Sequence, residues 1–443
     1  MIITFIMGAI VNICGEFIKE YKAQVAGTIV FGIIISAILV ICDDILSVFY
    51  PSLVFSMFVL KCYNSFSVFI KCWPLGIVVI ASVIFHFVLY RKKIVIGQTF
   101  WGIVGVAVAV TLGGLGKITA KEYFNPTALY YTIGLGIGML VAYLLLNSHI
   151  DRGKDYQLNI KFANIMVMMG LFASFMVLHH YIMRFDIVLE GDGVLAFQWR
   201  NNIATFLMIA LPFPFYKSSK NRHMYLYLGV MMYVCMLLTG SRGAFTFGSI
   251  EFAMCVISVL LYDKQNRKSN ILIFFILILI SFLFLGKILH FFSDVANRLT
   301  FESGEFDVRI NLYKRAVKDF LSNPIFGRGI GYMGNRDIHK SVDFALCWYH
   351  SLPFQIIGSF GIVGVIGYAV QYFFRFKVLI YDFKSRFNIT IFLSFAGLEM
   401  MSIVNPGQFC PFPYALLCVV MFIVAEKCNV MRKPDKISKS NCK

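Results

Sequence analysis

Apolar runs of roughly 17 to 22 residues follow one another along the whole chain, each long enough to cross a hydrocarbon core of about 30 Å as a helix. Lipid offers the backbone no water, so such a run must satisfy its N–H and C=O groups within itself, as an α-helix does. About 12 to 14 runs can be counted. Of the 443 residues, 59% are hydrophobic and 14% charged, which excludes an ordinary soluble globular domain. The expected fold class is all-α: a polytopic helical membrane protein of about 12–14 transmembrane helices, with one long extracytoplasmic loop near the C-terminal third. The first run, Met1 to Cys14, is short, lacks a basic start and has no small-residue cleavage site before Glu16. It reads as a retained span or interfacial segment, not a removed signal peptide.

The formal net charge is +17, yet no nucleic acid partner is expected, because the cations cluster in short segments between apolar runs. "RKK" at 91–93, "DRGKDYQLNIK" at 151–161, "KSSKNR" at 217–222, "DKQNRK" at 263–268, "RFKVLIYDFKSR" at 375–386 and the tail "KPDKISKSNCK" are basic. The positive-inside rule makes them cytoplasmic. The segments between them, 119–126, 183–201, the "TGSRG" turn, 292–349 and "NPGQFCPFP" at 405–413, then face outward. Upstream of residue 91 the pattern weakens, since "CDD" at 42–44 makes a poor cytoplasmic loop. The expected organisation is an N-terminal transmembrane bundle (1–160), transmembrane helices with the TGSRG turn (161–291), an extracytoplasmic loop with an amphipathic helix (292–349), C-terminal transmembrane helices (350–426) and a basic cytoplasmic tail (427–443). The 292–349 loop holds 58 residues, and loops of that length are usually functional.

The eleven cysteines lie largely inside apolar runs (Cys14, Cys42, Cys235, Cys255, Cys418), without CxxC or Cys/His spacing, so no metal site is expected. Cys347 and Cys410 fall in external segments, where a disulfide is conceivable.

Four stretches carry chemistry. In "LLTGSRGAF" an apolar run stops, presents Arg242 between Gly240 and Gly243, and resumes at once; the glycines permit a tight turn and close backbone approach. Either Arg242 snorkels to lipid phosphate or it serves a ligand at the external interface. "FDVRINLYKRAVKDFLSNP" predicts an amphipathic helix from about Asp307 to Leu321, stopped by Pro324. Its apolar arc holds Ile310, Leu312, Tyr313, Ala316, Val317, Phe320 and Leu321, with Asn311, Lys314, Arg315 and Lys318 opposite. Arg309 falls within the arc, where a guanidinium needs an anion; phosphate suits it, and Asp307 or Glu305 are the bland alternatives. "NPIFGRGIGY" reads as a flexible glycine turn, not a Walker loop. His350 opens the next apolar run, whose glycines at 358, 361, 364 and 367 predict close helix packing. His179, His180 and His339 compete with it as external histidines.

In this order and spacing, "TGSRG", Arg309 in "RINLYKRA", "NPIFGRGIG" and "HSLPFQIIGSFGIVG" resemble the O-antigen ligase/polymerase family, the Wzy-C type membrane glycosyltransferases, over about residues 200–370. Ser351 departs from the asparagine frequent after the family's histidine. The resemblance implies a GT-C transferase in the bacterial cytoplasmic membrane, multi-pass, with its active site on the extracytoplasmic side. Its partners would be an undecaprenyl-pyrophosphate-linked glycan donor, a glycan acceptor with a sugar hydroxyl, the lipid bilayer and a chain-length regulator. No cofactor, metal or nucleotide sugar is implied. Arg242 and Arg309 would stabilise the leaving pyrophosphate and His350 would act as general base. Arg200, Gly240, Ser241 and Gly243 would contact substrate.

A surface polysaccharide polymerase is the leading reading and an O-antigen ligase the alternative. From another class, a lipid-linked glycan flippase or small-anion transporter would explain the spans and external arginines, though it would not need one long outer loop and should bring repeat symmetry or broken helices in matching halves, which the sequence does not show. A carboxylate base, Asp186, Glu190 or Asp192, is a second enzymatic reading.

Overall fold

The structure, a computed structural model, describes residues 6, 21–44, 46–48, 73–119, 132–150, 157–183, 200–218, 223–283, 286, 305–330, 349–409 and 414–431. Its elements are α1 (Tyr21–Ile41), α2 (Trp73–Leu89), α3 (Thr99–Thr119), α4 (Met139–His149), α5 (Leu158–Met183), α6 (Arg200–Ala210), α7 (Pro212–Lys217), α8 (Met224–Leu238), α9 (Ser249–Tyr262), α10 (Arg267–Leu283), α11 (Glu305–Ser322), α12 (Leu352–Tyr381), α13 (Arg386–Ser402) and α14 (Tyr414–Met431). Short π-helical turns, Gly134–Gly138 and Ala244–Gly248, lead into α4 and α9. Among the described residues there is no strand, and the molecule is an all-α helical membrane protein. Among the described residues, Leu158–Met183, Ala244–Tyr262 and Leu352–Tyr381 are by length and composition long and apolar enough to cross a membrane, and five shorter apolar helices accompany them. Ile250, Ile257 and Leu261 on α9, and Ile362, Ile366 and Phe373 on α12, stand exposed. Such outward apolar faces suit hydrocarbon.

The chain forms two compact units. The first comprises 1–159, 309–383 and 402–443. Within it α3 and α12 run antiparallel at backbone distance, because small residues face each other: a methyl added at Gly102 would lie 2.9 Å from the Gln371 Cα, and one at Gly105 would lie 3.1 Å from the Gly367 carbonyl oxygen. Close approach through glycine is the membrane form of tight helix packing.

One end of this unit gathers segments whose charge predicts a shared side. Lys92 pairs with Asp43 at 2.8 Å, so the acidic "CDD" lies beside the basic "RKK", which neutralises Asp43. The Asn147 side chain donates to the Val95 carbonyl at 2.6 Å, and Asn429 donates to the Val378 carbonyl at 2.7 Å. Two consecutive residues of α14 close helix ends here. The Glu426 carboxylate accepts from the Gln98 N–H (2.5 Å), the Thr99 N–H (3.3 Å) and the Thr99 hydroxyl (2.9 Å), capping the start of α3. The Lys427 ammonium donates to the Asn147 and Ile150 carbonyls at the end of α4. An anion at a helix start and a cation at a helix end each meet the favourable pole of the macrodipole.

The second unit comprises 160–308 and 384–401. Phe162 of α5 packs edge-on against Phe213 and Phe387, and a methyl at Gly170 would lie 2.9 Å from the Ala210 Cβ. Ser394 of α13 donates to the Ile209 carbonyl at 2.6 Å, next to the proline-bearing α7.

Candidate functional site

In the second unit, the TGSRG turn ends α8 and starts the helical run into α9. Gly240 takes the left-handed conformation (φ 65°), which glycine reaches without the cost a Cβ would add. Its N–H bonds the Leu237 carbonyl at 3.0 Å, and the Tyr181 hydroxyl donates to the Leu238 carbonyl, so the carbonyls left over at the end of α8 are satisfied. The next residue caps the following helix. Ser241 Oγ accepts from the Ala244 N–H (3.4 Å) while donating to Asn201 Oδ1 (2.7 Å). Asn201 follows Arg200 in the first turn of α6, so this bond holds the start of α6 against the TGSRG turn within this unit. Arg242 and Gly243 then occupy the first helical turn, whose N–H groups face away from the helix and favour an anion. Gly243 differs from expectation. Its φ of −62° is helical, so the turn uses Gly240 alone, and Gly243 contributes only the lack of a side chain.

In the first unit, α12 is a broken helix. Gly361 has φ 61° and ψ −149°, and a methyl at Gly364 would lie 3.2 Å from the carbonyl oxygen of Ile356, eight residues earlier. Eight residues of straight helix rise about 12 Å, so residues 352–360 fold back against the segment that follows. The expectation that all four glycines serve packing is therefore corrected at 361, which is the break itself.

A break leaves carbonyls on one side and N–H groups on the other without intrahelical partners, and the "NPIFGRG" loop pairs with two of each. The Arg328 and Gly329 N–H groups donate to the Gly358 and Ser359 carbonyls at 2.9 and 2.8 Å. The Ile362 and Val363 N–H groups donate to the Pro324 and Ile325 carbonyls at 2.8 and 3.2 Å. Side chains would prevent this. A methyl at Gly327 would lie 2.6 Å from the Ser359 oxygen, and one at Gly361 would lie 2.7 Å from the Ile325 oxygen. The loop read from sequence as a flexible turn is thus a backbone stitch.

His350 stands at the exposed head of the folded-back half-helix. Its φ of 53° makes it, with Arg91, one of two non-glycine residues with positive φ among the described residues. Such backbone is costly and tends to persist at functional sites. Tyr349 beside it is buried against Leu312 and Ala316 of α11, its ring fills the space left by Gly358, and its hydroxyl donates to Asp319 Oδ2 at 2.7 Å. Phe354 stacks on Tyr313 with centroids 4.4 Å apart. Arg309 lies one turn before Tyr313 and is half-buried. Burial pushes the Tyr313 phenol up, and the Arg309 guanidinium pulls it the other way. The helix bearing Arg309 and the half-helix bearing His350 are thus packed together.

The amphipathic helix spans Glu305–Ser322, close to expectation, but its buried stripe is narrower. Leu312 and Ala316 are buried, whereas Val317 and Leu321 are exposed at 40% and 70%. Asp319, absent from the expected arc, is buried because Arg315 (3.3 Å) and Tyr349 satisfy its carboxylate. Sequence reasoning also missed Gln355, Glu251 and Arg375. Glu251 is buried in the Ala244–Tyr262 run, with neither carboxylate oxygen hydrogen-bonded. Arg375 is buried in α12, donating to Gln408 at 3.3 Å and lying over the Phe422 ring. A lone ionisable residue inside an apolar run is the signal that would have found both.

Of the competing histidines, His179 and His180 lie in the last turns of α5, next to Tyr181 and hence at the TGSRG end of the second unit. His339, the carboxylates Asp186, Glu190 and Asp192, and the cysteines Cys347 and Cys410 lie outside the described residues. Among the described residues no group of three or more His, Cys, Asp or Glu side chains is placed to hold a metal ion.

The break at Gly361, its stitching loop and the TGSRG turn all fall inside one region of family similarity. Residues 227–369 match the O-antigen ligase family, Wzy_C. The match covers roughly a third of the chain and supports assignment to the O-antigen ligase/polymerase family. It supports an enzyme of the glycosyltransferase-like ligase kind in a membrane. Arg242, Arg309 and His350 lie within the Wzy_C segment, and Arg200 precedes it. No curated protein matches the chain.

Proposed function

We propose that the chain is a metal-independent membrane glycosyltransferase that takes a glycan from undecaprenyl pyrophosphate and joins it to an acceptor sugar hydroxyl at the outer face of the cytoplasmic membrane, as a surface polysaccharide polymerase. The observation that carries this reading is His350, in strained backbone at an exposed helix head and packed through Tyr349 and Phe354 onto the helix of Arg309. An imidazole titrates near neutrality and accepts a proton. The acceptor oxygen attacks the anomeric carbon, the bond from that carbon to the pyrophosphate oxygen breaks, and its electron pair stays with pyrophosphate. The hydroxyl proton passes to the imidazole, and the anomeric centre inverts. Arg309 stabilises the charge that grows on the leaving group, as fixed guanidinium donors do. Arg242, at a helix start in the other unit, is assigned the same chemistry, with Arg200, Gly240, Ser241 and Gly243 as substrate contacts.

A second reading is the ligase, favoured by the description of the matched family. It differs only in its acceptor: lipid A core, protein or cell-wall glycan. Cells lacking the protein discriminate the two, since single-repeat glycans mean polymerase and full-length glycans left on the carrier mean ligase.

The direct test is transfer in proteoliposomes from the native lipid-linked glycan. His350→Ala, Arg309→Ala and Arg242→Ala should each lose about 100-fold or more in rate while folding normally, and His180→Ala should not. Wild-type transfer in the first three variants would end this reading, and glycan crossing the bilayer without transfer would replace it with a flippase.

A further inference from the structure

We propose that Gln355 is the positioning residue that locks His350 in its left-handed backbone and thereby presents the imidazole at the head of the half-helix. The role assigned to the imidazole rests on the reading of His350 as base. The lock itself rests on hydrogen bonds.

Gln355 holds both neighbours of His350. Its side-chain Oε1 accepts from the Tyr349 N–H at 3.0 Å, and its backbone N–H donates to the Ser351 carbonyl at 2.8 Å. Its Nε2 donates to Ser359 Oγ at 2.8 Å, one helical turn further on. The Tyr349 N–H requires an acceptor, which fixes the orientation of the amide. Gln355 and Ser359 are both fully buried, so water cannot replace these bonds.

The result is a closed ring of backbone and side chain with His350 at its outer edge. Tyr349 cannot shift, because its ring sits on Gly358 and its hydroxyl is held by Asp319. Ser351 cannot shift, because it begins a helix whose second position is Pro353. With both flanks fixed, the one residue between them has to absorb the turn, and it does so at φ 53°. A right-handed His350 would require the Tyr349–Gln355 bond to break. Glutamine suits the position because one short side chain must accept from a backbone N–H and donate to a hydroxyl at once.

Two measurements on the full-length protein test the proposal. The first is a double-mutant cycle in thermal unfolding in detergent with His350→Gly and Gln355→Met. Glycine relieves left-handed strain only where the lock imposes it, so His350→Gly should be more favourable, by about 2 °C in midpoint, with Gln355 present than in the Gln355→Met background. Additive midpoints would overturn the lock. The second is transfer rate. Gln355→Met should lower kcat by about 10- to 100-fold with KM for the lipid-linked donor within about twofold. Gln355→Glu, whose carboxylate still accepts from the Tyr349 N–H, should recover part of the loss. A wild-type kcat in Gln355→Met would overturn the positioning role. Wild-type transfer in His350→Gly would instead remove the base reading, leaving the unfolding cycle to decide the lock alone.

Discussion

The TGSRG turn and the break at Gly361 are both places where a membrane helix stops and backbone groups lose their partners. They repair the loss differently. At TGSRG the main repairs are local: Gly240 turns the chain, its N–H returns to Leu237, and Ser241 caps the next helix. At Gly361 the repairs come from residues 324–329, more than thirty positions upstream, through four backbone bonds. Local repair tolerates change at one residue, whereas a stitch between two distant segments fails when either side is obstructed.

Substitutions at the two places should therefore differ in size. Gly361→Ala and Gly327→Ala each combine left-handed backbone with a clash against main chain, and should cost about 3 kcal/mol or more. Loss of monodisperse protein on detergent extraction is the expected result, and normal yield would mean that the stitch is dispensable. Gly240→Ala meets open space, since nothing lies within 4 Å of the added methyl. It should cost only the conformational penalty of about 1–2 kcal/mol, read as a lower unfolding midpoint that Gly240→Asn partly restores. Ser241→Ala removes a cap and should cost about 1 kcal/mol. The smallest effect is expected at Gly243, already helical: Gly243→Ala should leave stability unchanged or raise it by about 0.5 kcal/mol. A fall in transfer without a fall in stability there would mean that substrate approaches the backbone.

The same contrast explains what the sequence made legible. The all-α membrane class follows from the apolar runs, the Glu305–Ser322 helix from its periodicity and Pro324, and the TGSRG turn from the glycines that flank its serine and arginine. These are signals carried within a few residues. The break was hidden because glycines at 358, 361, 364 and 367 have the spacing of a packing face, and only a remote loop distinguishes the one that turns left-handed. Asp319 was hidden for a related reason. Its period put it on the buried stripe, but its charge argued against burial until Tyr349, thirty residues on, supplied a donor. At His350 the residue type was readable, but the backbone strain and the Gln355 lock were not.

The adjacent Glu426 and Lys427 have a bearing on how the chain is made. Gln98, whose N–H Glu426 accepts, is synthesised 328 residues earlier, and the Asn147 carbonyl that Lys427 caps is made 280 residues earlier. The start of α3 and the end of α4 thus enter the bilayer without their protein partners and must rely on water or lipid headgroups through most of translation. The first unit is completed by α14, so a ribosome that stops short of residue 426 releases a protein in which the start of α3 and the end of α4 have never been closed.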